Sequence, residues 1–183
     1  GLICPVLLGS AEHGHGLGRL LKALRHEVNP LDAVGKRLGH EPEEGRAQAF
    51  TIKTIHTSHA GKVSVARVLS GALGDGDAVS APQGTGKISG VFDVTGEAFV
   101  KRGQAVAGEV VGLGRLDEIH TGDFIQSGGV ASAGSPKLAV TPPEPVYAVA
   151  LGINDRKDEV KLTATAQKLS EEDLGLRFRP CEA

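Results

Sequence analysis

The middle of the chain consists of short runs of apolar and β-branched residues separated by glycines. Such runs are typical of β-strands, and the glycines between them supply tight turns. The six runs cover residues 50–55, 62–69, 77–81, 87–94, 104–111 and 123–127. No helical periodicity interrupts them, and a closed sheet leaves no edge strand open to unwanted pairing. We therefore predict a mainly β protein with a small closed β-barrel over residues 48–130.

The residues before these runs predict one strand and one helix. Residues 3–8 are an apolar run that contains Pro5 and suits a short buried strand. Apolar side chains then recur with helical spacing and stop before Pro30: Leu17, Leu20, Leu21, Leu24 and Val28. A strand and a helix need a further layer to bury their apolar faces. Residues 1–30 are therefore predicted to be the end of an α/β domain, and residues 31–47 a linker.

The residues after the runs predict a second incomplete domain. Residues 131–145 are rich in proline and glycine and indicate a linker. Residues 146–151 predict a strand, and Asn154 or Asp155 can cap a helix that runs to about Asp173. The buried side of that helix is predicted from its spacing: Leu162, Ala166 and Leu169. Residues 174–178 predict a further strand, so residues 146–183 form the start of a third domain.

Composition narrows the possible functions. The 183 residues carry a formal net charge of -2, which gives no overall field to attract nucleic acid. Aromatic residues make up 3% of the chain, too few for base-stacking platforms. Cys4 and Cys181 build neither a disulfide framework nor a metal knuckle, which favours a reducing cytoplasm. The chain has no apolar stretch long enough to span a membrane and no secretion signal. It also contains no methionine, so we expect a piece of a longer polypeptide.

The motifs that suggest chemistry are weak when taken singly. The sequence Gly-Thr-Gly-Lys at residues 84–87 lacks the phosphate-loop spacing, because Ala81 and Ile88 stand where a glycine and a hydroxyl are needed. A glycine turn between two strands is the prediction there. Two histidine pairs have chelating spacing without a further ligand nearby, so no metal is predicted: His13 with His15, and His56 with His59. The serines lack a nucleophile elbow, and no catalytic residue is predicted.

Three segments together resemble the translational GTPases. Residues 5–11, Pro-Val-Leu-Leu-Gly-Ser-Ala, with the helix at residues 20–24 resemble the end of that family's nucleotide domain. The glycine-rich pattern at residues 61–77, with Ala-Gly-Glu-Val-Val-Gly-Leu at 107–113 and Thr-Gly-Asp at 121–123, is similar to its β-barrel second domain. Two further segments resemble the opening of the third domain of elongation factor G, an α+β ferredoxin-like layer: residues 143–146 and 169–173.

The resemblance implies a function for a longer protein. That function is GTP hydrolysis with Mg²⁺ on the ribosome, in translocation or ribosome recycling, with the barrel docking the ribosome and relaying the nucleotide state. Ser10 and Ala11 would belong to the guanine-contacting turn. Lys62, Arg67 and His59 would contact the ribosome or a neighbouring domain, although Arg67 could instead pair with a carboxylate such as Glu109. Contacts with a membrane or DNA are not implied, and the piece itself is expected to be monomeric.

The sequence departs from elongation factor G at two places. Histidines stand before the first barrel turn, at residues 56–61, and the guanine loop carries Glu-His-Gly-His at residues 12–15. These departures favour a paralogue of elongation factor G. A ribosomal protection factor, a release-factor GTPase, a noncatalytic RNA- or protein-binding barrel and a metal-dependent hydrolase remain alternatives. Because phosphoryl transfer needs a phosphate loop and a water-positioning residue, we predict that this chain alone neither binds nor hydrolyses GTP.

Overall fold

A computed structural model describes residues 4–37, 45–57, 60–96, 98–128, 141–153 and 155–179. The protein is mainly β, as predicted. The described residues form three α-helices: α1 (Leu17–Glu27), α2 (Leu31–Arg37) and, after a 3₁₀ turn at Arg156–Asp158, α3 (Glu159–Glu172). They also form ten strands: β1 (Gln48–Thr57), β2 (Gly61–Ser70), β3 (Ala72–Gly74), β4 (Ala78–Ala81), β5 (Gly84–Lys87), β6 (Val91–Thr95), β7 (Ala98–Arg102), β8 (Gln104–Val106), β9 (Val110–Gly114) and β10 (Phe124–Ser127).

The strands form an antiparallel sheet of eight and a separate antiparallel pair. The order in the large sheet is β5-β4-β10-β1-β2-β9-β6-β7, and β3 pairs with β8. In the described part of the chain no strand pairing joins the edges β5 and β7, so the predicted closure into a barrel is not found there. A side chain occupies one of these edges instead, because the backbone N–H of Thr85 on β5 donates to Glu118 Oε2 at 3.2 Å. A carboxylate at that position discourages pairing with another strand.

The inner face of the large sheet carries the hydrophobic core. Val68 of β2, Leu113 of β9, Val91 of β6 and Ile125 of β10 are all fully buried. The core is therefore shared by central strands that lie far apart in the sequence.

A bulge in β1 keeps each side chain on the same face of the sheet as its partner on β2. Thr51 pairs with Ala66 and Lys53 with Val65, so that Ile52 is an extra residue without an opposite partner. Thr51 and Thr54 are an odd number of residues apart, which in a regular strand would put them on opposite faces. The bulge instead places both on the inner face. The hydroxyls of Thr54 and Thr121 lie 3.1 Å apart, which satisfies one of these buried groups.

The Gly-Thr-Gly-Lys segment is a strand, and the prediction of a turn there is wrong. It forms β5, paired with β4. A Cβ atom at Gly84 would lie 2.2 Å from Glu118 Oε2, and one at Gly86 would lie 2.8 Å from Leu116 Cδ2. The two glycines therefore make room for side chains of the segment after β9. Their role here is close packing, which short-range sequence spacing does not reveal.

The predicted helices agree with the structure better than the strands predicted before and after the sheet. α1 and α3 lie where the helical spacing places them, whereas α2 falls inside the predicted linker at residues 31–47. In the described parts of the three segments, residues 4–8, 146–151 and 174–178 form no strand, which corrects those predictions. A strand requires a hydrogen-bonded neighbour, and none of the described strands lies beside them. Val146, for example, is 99% exposed.

The described helices are all too short or too polar to cross a membrane.

Candidate functional site

Two adjacent strands and the C-terminal helix meet at a cluster of charged side chains. His56 on β1 and Lys62 on β2 stand directly opposite each other in the sheet. Glu171 on α3 reaches both, since its Oε2 lies 3.0 Å from His56 Nε2 and 3.2 Å from Lys62 Nζ. The neighbouring Glu172 accepts a hydrogen bond from the backbone N–H of His56. These four residues are called the latch cluster below.

Lys62 is almost fully enclosed by its partners. Its side chain is 5% exposed, and Nζ also donates to the backbone carbonyl of Asp117 at 2.7 Å. A lysine charge can be buried only when it is paired and hydrogen-bonded, and both requirements are met here. The segment that supplies this carbonyl is fixed to the same strand, because Arg115 N donates to the carbonyl of Lys62 at 2.9 Å. The structure thus places Lys62 in contact with α3, with little surface left for an outside partner.

The carboxyl of Glu171 is held ionised by its donors. Burial raises the pKa of Glu171, but the hydrogen bonds from Lys62 and His56 and their charges outweigh burial and hold the pKa below its ordinary value. A charge-assisted hydrogen bond of this kind is stronger than one between neutral groups. The ionised form of Glu171 is therefore the form that binds α3 to the sheet.

Arg67 lies on the outer face of β2, away from the latch cluster. It stands between Phe50 of β1 and Val110 of β9. The side chain is half-buried, and its Nε has no hydrogen-bond partner among the residues that the structure describes. The predicted alternative, a pair with Glu109, is not formed, because Glu109 bonds Arg102 instead at 3.1 Å. Arg67 is therefore a partly exposed cation whose buried Nε is left without a partner by the described residues.

Ser10 and Ala11 lie in a turn that the backbone closes. Ser10 N donates to the carbonyl of His15 at 3.0 Å, and the two residues form an isolated bridge. Gly16 has φ of +80°, and a Cβ atom there would lie 2.5 Å from the carbonyl oxygen of Leu8. The glycine is needed for this close approach. Ala11 is exposed, so the turn presents its backbone to the surface.

The histidine pairs do not form a metal centre in the described part of the chain. The ring centroids of His13 and His15 lie 6.0 Å apart, and His56 bonds Glu171. His59 lies outside the described residues, so the structure does not place this predicted contact. No group of three or more His, Cys, Asp or Glu side chains that could hold a metal ion is found among the residues described.

Comparisons with known proteins relate the chain to a protein family. Residues 46–128, from just before β1 to just after β10, match the family model described as elongation factor G domain 2. The chain is also 35% identical to an elongation factor G-like protein from Synechocystis sp., over 97% of its own length. Over nearly its whole length the chain is therefore similar to elongation factor G-like proteins. This bears out the resemblance to the translational GTPases.

Other relatives of the chain carry the name elongation factor G itself. The chain is 30% identical to elongation factor G of Petrotoga mobilis over 96% of its length, and 30% identical to elongation factor G 2 of Streptomyces coelicolor over 95%. A crystal structure of a Thermus thermophilus protein superposes with a TM-score of 0.75 at 27% identity, covering 98% of this chain and 26% of that one. The chain spans about a quarter of its relatives' length, namely 25% of the Synechocystis protein and 27% of the Petrotoga protein.

The sequence analysis does not identify the two glutamates of the latch cluster, Glu171 and Glu172, as contact residues. The sequence singles out Lys62 as a contact, but it offers Glu171 only as part of a segment. His56 appears there as a member of a histidine pair and as a departure from the family pattern. Glu171 lies 109 residues after Lys62 and 115 residues after His56, so no local spacing links them. The one signal in the sequence is the presence of histidines before the first turn.

Proposed function

We propose that the chain serves as part of a ribosome-dependent translational GTPase of the elongation factor G type, acting in cytoplasmic protein synthesis. In this proposal the sheet of residues 46–128 docks the ribosome and relays the nucleotide state to the segment that follows. The observation that carries the proposal is the match of this sheet to elongation factor G domain 2, inside an alignment that covers 97% of the chain. Translocation and ribosome recycling are the two steps that this proposal includes.

The predicted site residues take different parts in this proposal. Ser10 and Ala11 would contribute the guanine-contacting turn of a complete nucleotide domain. Arg67 would contact a phosphate of ribosomal RNA, and the partial exposure of its side chain supports that role. Lys62 would hold the following segment, because its Nζ already bonds Glu171 and Asp117. His59 is retained as a proposed contact on sequence grounds alone.

A chimera tests the proposal directly. Residues 1–183 replace the matching quarter of the Synechocystis elongation factor G-like protein, and GTP hydrolysis is measured with and without ribosomes. We expect the chimera to keep GTP hydrolysis that ribosomes stimulate. Arg67→Gln in the chimera should weaken ribosome binding and reduce the slope of log affinity against log salt by about 1, as loss of one phosphate contact does.

The matched control for this experiment is Arg25→Gln, which removes an exposed arginine of α1 outside the sheet. That change should leave the salt slope within error of the unaltered chimera. A folded chimera that hydrolyses GTP but shows no response to ribosomes would refute the proposal and favour a noncatalytic binding module. Equal slopes for both arginine variants would remove Arg67 from the contact.

The chain by itself should not bind GTP. Its sequence holds no phosphate loop, and the proposed guanine turn alone offers only a few backbone groups to the base. Titration calorimetry with GTP and Mg²⁺ should give no heat of binding at micromolar concentrations. A micromolar dissociation constant would contradict this expectation, and a titration with ATP in place of GTP would show whether such binding is specific for guanine.

A further inference from the structure

Helix α3 is held to the sheet by very little apolar contact. Ala166 is its one buried side chain among the described residues of the helix, and Val160 is 79% exposed. Of the other two residues on the predicted buried side, Leu169 is 48% exposed and Leu162 is only partly buried. Burying one alanine removes little apolar surface from water. The polar contacts at the C-terminal end of the helix must therefore decide whether it stays docked.

Those polar contacts form a matched set of donors and acceptors. The sheet offers three N–H donors at one point: the Nζ of Lys62, the Nε2 of His56 and the backbone N of His56. The helix offers two adjacent carboxylates, Glu171 and Glu172. Cross-strand pairing of His56 with Lys62 holds the donors together before the helix arrives. The donor side of the latch cluster is therefore organised by the sheet itself.

We propose that the latch cluster is a releasable catch, in which the ionised carboxylate of Glu171 holds α3 on the sheet and its loss frees the helix. Release is feasible because Lys62 keeps a partner when α3 leaves. Its Nζ remains bonded to the Asp117 carbonyl at 2.7 Å, so the buried cation is not left without an acceptor. The inference concerns contacts within this chain and does not depend on the proposed function.

The release can be driven by acid, and its direction follows from the groups that face Glu171. These are Lys62 from β2 and His56 from β1, with Glu172 beside it on α3. The Nζ of Lys62 and the Nε2 of His56 both donate to the Glu171 carboxylate, so loss of its negative charge weakens both contacts. The pKa of Glu171 is lowered in the docked state, so docking is fully supported above the ordinary glutamate pKa. That support is lost as the pH falls through the lowered value.

Hydrogen exchange followed by mass spectrometry measures the docking of α3. A helix of 14 residues is marginally stable in water on its own, so its amides lose protection when it leaves the sheet. At neutral pH, Glu171→Gln should reduce the protection of α3 amides by about tenfold, the effect of losing one charge-assisted hydrogen bond. The amides of β2 and β9 should keep their protection. Glu159→Gln, on the first turn of α3, is the matched control and should change α3 protection less than twofold.

An acid series and a second variant complete the test. In the unaltered chain, α3 protection corrected for intrinsic exchange should fall as the pH drops below the ordinary glutamate pKa, before that of β2 falls. In Glu171→Gln this early step should be absent. Lys62→Gln should lower α3 protection, and combining it with Glu171→Gln should add little, because the two residues share one interaction.

Several outcomes would overturn the inference. Equal α3 protection in Glu171→Gln and Glu159→Gln at neutral pH would show that the carboxylate does not hold the helix. Loss of α3 and β2 protection at the same pH would show that the helix does not release separately. Fully additive effects of the Lys62 and Glu171 variants would show that the two residues do not act as one catch.

Discussion

Replacing Gly71 with alanine should destabilise the protein by about 2–4 kcal/mol. Gly71 lies in the turn between β2 and β3 with φ of +66°, a conformation that costs alanine about 1 kcal/mol or more. The new Cβ would also lie 2.8 Å from Ala47 Cα and 3.0 Å from Ala47 Cβ. The first of these is a backbone atom next to β1, so relief requires the chain to shift, at about 1–3 kcal/mol. Urea unfolding gives the free energy from the transition midpoint.

Gly61→Ala is the matched control for that measurement. Gly61 has a nearly equal φ of +69°, but nothing lies within 4 Å of the position its Cβ would take. It should therefore cost only the conformational part, about 1 kcal/mol. The difference between the two variants isolates the contact with Ala47. Equal losses of stability would show that backbone conformation alone fixes both turns and that the close approach at Gly71 is unimportant.

Shortening Leu113 to alanine should cost about 2–5 kcal/mol, the range for removing a fully buried leucine side chain. Leu113 lies on β9 near the middle of the large sheet, opposite Ser64 of β2 and Val91 of β6. Strands on both sides limit how far the core can collapse into the space. The same urea experiment should show a lower midpoint with an unchanged slope.

Leu21→Ala provides the comparison of the same chemical change at the surface. Leu21 lies on α1 and is 64% exposed. Its replacement should alter the free energy of unfolding by no more than about 0.5 kcal/mol. A loss at Leu113 no larger than the loss at Leu21 would contradict the placement of the core on the inner face of β9.

The sequence predicts elements with local patterns more reliably than their arrangement. α1 follows from the spacing of its leucines, and β1 and β2 follow from runs of β-branched residues. The short strands β3, β5 and β7 escape prediction because glycines or charged residues leave them without a clear alternating pattern. Closure of the sheet is a long-range property, and Glu118 at the edge of β5 lies 33 residues from its partner Thr85.

The site shows the same division between local and long-range information. The sequence resemblance singles out Lys62 and Arg67 because they belong to a recognisable segment. It does not reveal that these two side chains lie on opposite faces of β2, or that α3 covers only Lys62. Which face a side chain occupies depends on the register with β1 and β9, and register is set by pairing across the sheet.

Because Ile52 is an extra residue in the bulge, β1 can lose one residue at this position and keep its other side chains on their present faces. Removing it would bring Thr51 and Lys53 into ordinary alternation opposite Ala66 and Val65, with each side chain still on its present face. Removing a residue elsewhere in β1 would turn every side chain on one side of the gap to the opposite face. Natural insertions and deletions in this strand should therefore accumulate at position 52, where the protein tolerates a change in chain length.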